Sequence, residues 1–173
     1  MQKAFFLDRD GVINIDKSYV YKIEDFEFIQ GVIPTLKYIQ KKGFKLFIIT
    51  NQSGIGRGYY TIEQFLELTS WMLNRLENEG IFIEEVKFCP HSPEQKCNCR
   101  KPNTGMIDEI LKSYDIDLDN SWLIGDKSSD IKCAINAGIK YSIQVKSGQE
   151  FDQTKSLATY VLNSIKDIEK IKL

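Results

Sequence analysis

Aspartates that follow short apolar runs, and a knot of cysteines around the only histidine, are the groups of this 173-residue chain best suited to chemistry. Asp8 and Asp10 come directly after Ala4-Phe5-Phe6-Leu7. Positions two apart leaving a strand project to the same side, so their carboxylates are expected to be near neighbours. Close carboxylates repel, and a cation or a retained proton relieves them. Asp126, which follows Gly125 after another apolar run, supplies a third acidic oxygen donor. Hard oxygen donors in this number suit Mg²⁺, which keeps several waters and commonly meets substrate phosphate. The plain alternative for an Asp pair behind a strand is a turn or a helix cap.

Other polar groups sit in equivalent places. Thr50 follows Leu46-Phe47-Ile48-Ile49 and leads into Asn51-Gln52-Ser53-Gly54, whose backbone N–H groups are candidates for holding an oxyanion. The stretch from Gly54 to Tyr59 does not make a dinucleotide fingerprint, because Tyr59 stands in place of the last glycine, and no Gly-Lys-Ser/Thr phosphate loop exists. Arg100, Lys101 and Lys127 bring positive charge, which phosphoryl transfer needs preorganised around its equatorial oxygens. Cys89, His91, Cys97 and Cys99 offer four donors with the spacing of a closed, structural Zn²⁺ site. That assignment consumes the single histidine, so acid–base work falls to carboxylates. Cys133 is expected to be a small buried hydrophobe.

The elements that must position these groups alternate. Strands are expected at residues 4–7, 44–49, 81–88, 122–124 and 139–145. Helices are expected at 32–42, 61–79, 105–114 and 129–137, with a further edge element at 161–170. Gly43, Gly80 and Gly138 sit just past three of the helices. Alternation of this kind implies an α/β fold, a parallel sheet with helices on both faces, in which ligands bind at the carboxyl ends of the strands. Each polar group named above follows one of these strands. Length suits a single domain, residues 1–173, with a zinc loop at 89–99.

Composition excludes several classes. Lys+Arg number 23 against 24 Asp+Glu, for a formal net charge of −1, so no broad basic face for nucleic acid is expected. No apolar run is long enough to span a bilayer, and charges follow the first apolar run too closely for a signal peptide. A cytoplasmic monomer acting on a small molecule, with neither nucleic-acid nor membrane partner, is expected.

Together these residues resemble the haloacid dehalogenase superfamily of phosphatases: Phe6-Leu7-Asp8-Arg9-Asp10-Gly11, Thr50 after a strand, Lys101, and Gly125-Asp126 followed by Asp130. Within it the chain is similar to the heptose bisphosphate phosphatases, through Asp16 with Tyr19-Val20, Phe26-Glu27-Phe28-Ile29, Thr50 to Ile55, the zinc loop, Cys99-Arg100-Lys101-Pro102 and Gly125-Asp126-Lys127. The resemblance implies a three-layer α/β/α Rossmann-like fold and Mg-dependent removal of the 7-phosphate from a heptose 1,7-bisphosphate. It implies Asp8 as nucleophile, Asp10 as acid and then base, and Asp8, the Asp10 carbonyl and Asp126 around Mg²⁺. Thr50 and Lys101 would bind the transferring phosphoryl group. Asp16, Lys17, Ser18, Tyr19, Asn51, Gln52, Ser53, Arg100 and Lys127 would face substrate. Ser18 departs from the glycine many relatives carry there, and the zinc half-sites are closely spaced. The intervals from Asp8 to Thr50 and from Thr50 to Lys101 are mostly used by core elements, so no cap domain is expected. Histidinol-phosphate phosphatase is the related alternative, and a phospho-accepting signalling module the alternative of another class.

Overall fold

Four consecutive buried residues make β1 (Ala4–Leu7), because this strand lies inside a sheet covered on both faces. The computed structural model describes residues 1–173. β2 (Lys45–Asn51), β3 (Ile83–Cys89), β4 (Trp122–Gly125), β5 (Tyr141–Val145) and β6 (Tyr160–Leu162) complete a six-stranded sheet in the order β3-β2-β1-β4-β5-β6. Every pairing is parallel. Burial on both faces explains why β1, β2 and β4 read as apolar runs rather than as alternation.

The helices are α1 (Val32–Lys41), the single turn α2 (Ser53–Gly56), α3 (Ile62–Asn78), α4 (Gly105–Leu111) and α5 (Ser128–Asn136). Strand side chains alternate between faces. Phe5 and Leu7 pack on one side with Leu36 and Ile39 of α1 and Leu68, Met72 and Leu76 of α3. Ala4 and Phe6 pack on the other with Ile107 and Ile110 of α4 and Cys133 and Ala134 of α5. The three-layer α/β/α expectation holds. Thr61 starts α3 through a capping box, its hydroxyl accepting from Gln64 N–H while the Gln64 side chain accepts from Thr61 N–H. No helix is long and apolar enough to cross a membrane.

The differences from expectation are local. β2 runs on to Asn51, so Thr50 lies within the strand and pairs in register with Phe88 rather than following it. α4 stops at Leu111, where Ser113 and Tyr114 both turn back to the Ile110 carbonyl. The fifth strand starts at Tyr141, after Gly138 (φ 75°) has closed α5. The tail supplies both a strand, β6, and a 3-10 helix at Ile165–Lys170.

β2 and β3 lie on one side of β1, and β4 to β6 on the other. The order therefore reverses between β1 and β4. The crevice at that reversal, beyond the carboxyl ends of the strands, is where such sheets hold ligands. Asp8 and Asp126 are the first residues past those two strands.

Candidate active site

Asp8 is almost wholly buried at the end of β1. Its Oδ1 accepts from its neighbour's backbone, Arg9 N–H at 2.8 Å, and lies 3.1 Å from Lys101 Nζ. Oδ2 makes no hydrogen bond. Lys101 Nζ also donates to the Ile49 carbonyl at 2.8 Å and pairs with Asp130 at 2.7 Å, so the amine is fixed from three directions. Burial alone would depress this ammonium, but Asp130 and Asp8 outweigh it and hold it above the usual lysine range. Asp8 is raised as well, which here favours its neutral form. Burial pushes its carboxyl up to about 7, with Asp130 and Asp126 adding to the rise and Lys101 opposing it.

Asp126 comes off β4 fully buried. Its Oδ2 accepts from Gln149 N–H at 2.9 Å, whereas its Oδ1 is buried with no partner at all. An orphaned carboxylate oxygen is costly in a dry site and calls for a cation. Carboxylate oxygens of Asp8, Asp126 and Asp130 lie within 4.8 Å of one another. Asp130 is already spent, one oxygen on Lys101 and the other on Lys127 N–H. Asp8 and Asp126 are thus the pair that fits Mg²⁺, whose demand for oxygen donors they meet while leaving positions for water and phosphate.

Asp10 departs from expectation. Its carboxylate does not join that of Asp8, because β1 ends at Leu7 and two-residue alternation does not continue through the turn. Instead the fully buried Arg9 grips it, Nε at 3.2 Å from Oδ2 and Nη2 at 3.0 Å from Oδ1. Asn14 and Gln52 add two more donors, at 3.0 and 3.1 Å. Burial pushes the Asp10 carboxyl up, but Arg9 and these donors hold it below the usual carboxylate range. Arg9 also donates to the Val20 carbonyl at 2.6 Å, which fastens the 16–20 loop to the catalytic turn.

A cleft of about 370 Å³ opens above this floor, lined by Asp10, Asp16, Ser18, Tyr19, Asn51, Gln52, Ser53, Arg100 and Lys127. Lys17 is not among the lining residues; it pairs with Glu27 at 3.1 Å. Ser18 and Tyr19 both take left-handed backbone, φ 60° and 56°, a conformation in which glycine carries no Cβ penalty. Asp16 supports the turn by accepting from Ser18 N–H at 3.0 Å. The segment after β2 is helical rather than loose, and its Ile55 and Gly56 N–H groups are already bonded to the Gln52 and Pro90 carbonyls. Those two, and Gln52 N–H on the Cys89 carbonyl, are therefore not free for an oxyanion, which leaves Ser53 and Gly54 N–H as the candidates of the expected segment.

Cys89, which ends β3, gathers with His91, Cys97 and Cys99. Cys89 and Cys99 each lie 3.6 Å from Cys97, and His91 Nδ1 lies 3.5 Å from Cys89 and 3.2 Å from Cys99. A tetrahedron with arms of ~2.3 Å has edges of about 3.8 Å. The Cys89–Cys99 separation, 2.7 Å, is shorter than such an edge. None of the four forms a disulfide. The next two residues, Arg100 and Lys101, carry the cluster's position straight into the cleft.

Sequence reasoning missed four contributors. Arg9 stands between two aspartates, and its charge in an otherwise buried turn was the available signal. Tyr60 and Arg57 also line the cleft. The loop after β5 closes the site from the far side: a Cβ at Gly148 would fall 2.2 Å from Asp126 Oδ2, and one at Gly11 2.8 Å from Gly148 Cα. Ser147 Oγ donates to the Gly11 carbonyl at 2.7 Å, locking the two loops together.

The family described as HAD-hydrolase-like matches over residues 98–168. A D-glycero-beta-D-manno-heptose-1,7-bisphosphate 7-phosphatase from Haemophilus ducreyi is 44% identical over 96% of both chains. A D-glycero-alpha-D-manno-heptose-1,7-bisphosphate 7-phosphatase from Campylobacter jejuni is 46% identical over 95% of this chain and 96% of its own. The solved D,D-heptose 1,7-bisphosphate phosphatase from B. bronchiseptica, complexed with magnesium and phosphate, superposes with a TM-score of 0.84 at 27% identity, covering 97% of this chain and 96% of that one. With identity at this level along almost its whole length, the chain belongs to the heptose-1,7-bisphosphate 7-phosphatase family of HAD-like hydrolases.

Proposed function

We propose that this chain is a Mg²⁺-dependent phosphomonoesterase that removes the 7-phosphate of D-glycero-D-manno-heptose 1,7-bisphosphate, a step toward heptose precursors of surface glycans. The observation that carries the reading is the asymmetry of Asp8: one oxygen is held by Arg9 N–H and Lys101, and the other is bare at the mouth of the β1/β4 crevice. In this reading Oδ2 attacks phosphorus, the sugar alkoxide leaves, and an aspartyl-phosphate forms. Asp10, a carboxylate in the free protein, takes up a proton as the anionic substrate binds, passes it to that alkoxide and then takes one from the water that cleaves the acyl phosphate, so one slow hydrolysis becomes two easier steps. Thr50 holds a phosphoryl oxygen, and Lys101 supplies positive charge beside it, turning to the phosphoryl group the donor it gives Asp8 in the free protein. Asp8 and Asp126, with the Asp10 carbonyl, would hold Mg²⁺, which supplies charge neutralisation between nucleophile and phosphate. Arg100, Lys127, Asp16 and the 51–53 segment face the sugar. Lys17, paired with Glu27, is left out of the contact set.

The test is turnover of heptose 1,7-bisphosphate, other sugar bisphosphates and histidinol phosphate, with and without EDTA. Fastest release from the heptose bisphosphate, abolished by EDTA, is expected. Activity that persists in EDTA sinks the mechanism, and preference for histidinol phosphate sinks the substrate. Anomers belong in the same assay, because the relatives' names divide between alpha and beta.

The two metal sites lead to separate expectations. The Cys/His cluster is proposed to hold structural zinc, so metal analysis should find about one zinc per chain. Stripping it should loosen the 89–99 loop and cut activity at least tenfold, because Lys101 follows directly; a zinc-free, fully active chain sinks this assignment. For magnesium the pH dependence is diagnostic. The folded Asp8 carboxyl is raised to about 7, so between pH ~4 and ~7 the metal-free native state binds more protons than the unfolded one. Its contribution to stability therefore falls as pH rises through that window. Mg²⁺ needs the ionised form and should raise Tm more at pH 7.5 than at pH 5. Equal shifts by thermal melt at the two pH values contradict the assigned ligands.

A further inference from the structure

Gln52 and Tyr60 are both almost wholly buried beside the cleft, and neither is explained by packing alone. Gln52 Nε2 lies 2.9 Å from Thr50 Oγ1 and 3.1 Å from Asp10 Oδ2, while its Oε1 accepts from the Tyr60 hydroxyl at 2.5 Å. An ionised carboxylate only accepts, so the amide must present nitrogen to Asp10, and both of its N–H groups are then consumed. Thr50 Oγ1 is an acceptor in this arrangement, and its own hydrogen has no acceptor among the protein groups around it. It is left for an oxygen arriving above the strand end.

A flipped Gln52 would set its oxygen against the Asp10 carboxylate, so Asp10 sets which way the amide faces. Tyr60 holds the amide from its oxygen end. The phenol is well placed for that hold. Its ring stacks on Tyr21 at 5.0 Å and 8°, and Gly54 leaves it room, since a Cβ there would fall 2.1 Å from Tyr60 Cε1. Burial pushes the phenol up to about 12, which keeps it a donor at any working pH.

We propose that Tyr60 is a positioning residue for phosphoryl transfer: its hydroxyl locks the Gln52 amide, which in turn orients the Asp10 carboxylate and directs the Thr50 O–H toward the phosphoryl group. The proposal rests on the phosphatase reading above. Tyr60 touches no reacting atom in it; the effect passes through Gln52.

Tyr60→Phe removes one oxygen and keeps the ring. The expected result is a fall of roughly tenfold in kcat with KM within about twofold, because the loss bears on the transition state rather than on sugar binding. On a Gln52→Leu background the same substitution should change kcat by less than about twofold, since the group it acts through is gone. Side-chain amide NMR gives a second readout, with solvent exchange of the Gln52 NH₂ protons expected to rise at least about tenfold in Tyr60→Phe. An active wild type with unchanged kcat in Tyr60→Phe overturns the proposal, as does a full loss that persists on the Gln52→Leu background, or unchanged amide exchange. A wild type with no phosphatase activity overturns the proposed function together with this role.

Discussion

Asp8→Asn should abolish phosphoenzyme formation and lower turnover at least ~10⁴-fold while leaving the fold intact. The amide has the shape of the carboxyl but no nucleophilic oxygen, and Oδ2 is the atom the structure leaves bare. Stability should move the other way. Burial and two neighbouring carboxylates hold Asp8 near neutrality in the metal-free protein, so its charge opposes folding above pH ~7. A neutral isostere removes that opposition. Melting at pH 8 without Mg²⁺ should therefore give Asp8→Asn a Tm no lower than that of the wild type, the expected signature of a site that sacrifices stability for function. Retained phosphoenzyme labelling assigns the nucleophile elsewhere; a collapsed Tm makes Asp8 a structural anchor instead.

Lys101→Met should lose both properties together. The side chain is nearly isosteric, yet it strips the one buried cation from between Asp8 and Asp130 and takes the donor from the Ile49 carbonyl. Breaking a buried pair from one side costs about 3–5 kcal/mol. For a chain of this length that is a fall in Tm of roughly 10 °C. Activity should drop at least ~10³-fold, since a cation aimed at developing phosphoryl charge is also gone. Lys101→Arg keeps the charge but not the compact ammonium that fits three partners, and should recover part of the stability with little of the activity. A Lys101→Met protein that melts like the wild type means that Asp8 and Asp130 find protons or water at little cost.

Much of this site was legible because its main parts obey one rule. Asp8, Thr50 and Asp126 each stand at or just beyond the carboxyl end of an apolar run, Lys101 follows the Cys/His loop that leaves the end of β3, and a parallel sheet brings such ends to one edge. The strands themselves were legible as apolar runs, because they are buried on both faces, and α3 through its apolar stripe. What escaped is set by contacts distant in sequence, or by turns with no period. Asp10 turned away from Asp8 because Arg9 captured it, and no alternation rule extends past Leu7. Lys17 was carried over by resemblance along with its neighbours, and its partner Glu27 shows only in three dimensions. Tyr60 reads as one more aromatic until its hydroxyl meets Gln52. Gly148 and Gln149 lie far along the chain, and nothing local in Ser147-Gly148-Gln149 points back to Asp126.

That last loop bears on how this protein can change over time. Gly148 is held against the Asp126 carboxylate and the Gly11 backbone so closely that no side chain has room there, and Gly11 is barred from one by both its neighbours and its φ of 86°. Asp126 crowds both positions. In a saturation library these two positions should tolerate nothing while the rim of the cleft accepts many residues. Drift in sugar preference is then free to proceed along the 16–19 loop and the 89–99 segment, while the phosphate chemistry beneath stays as it is.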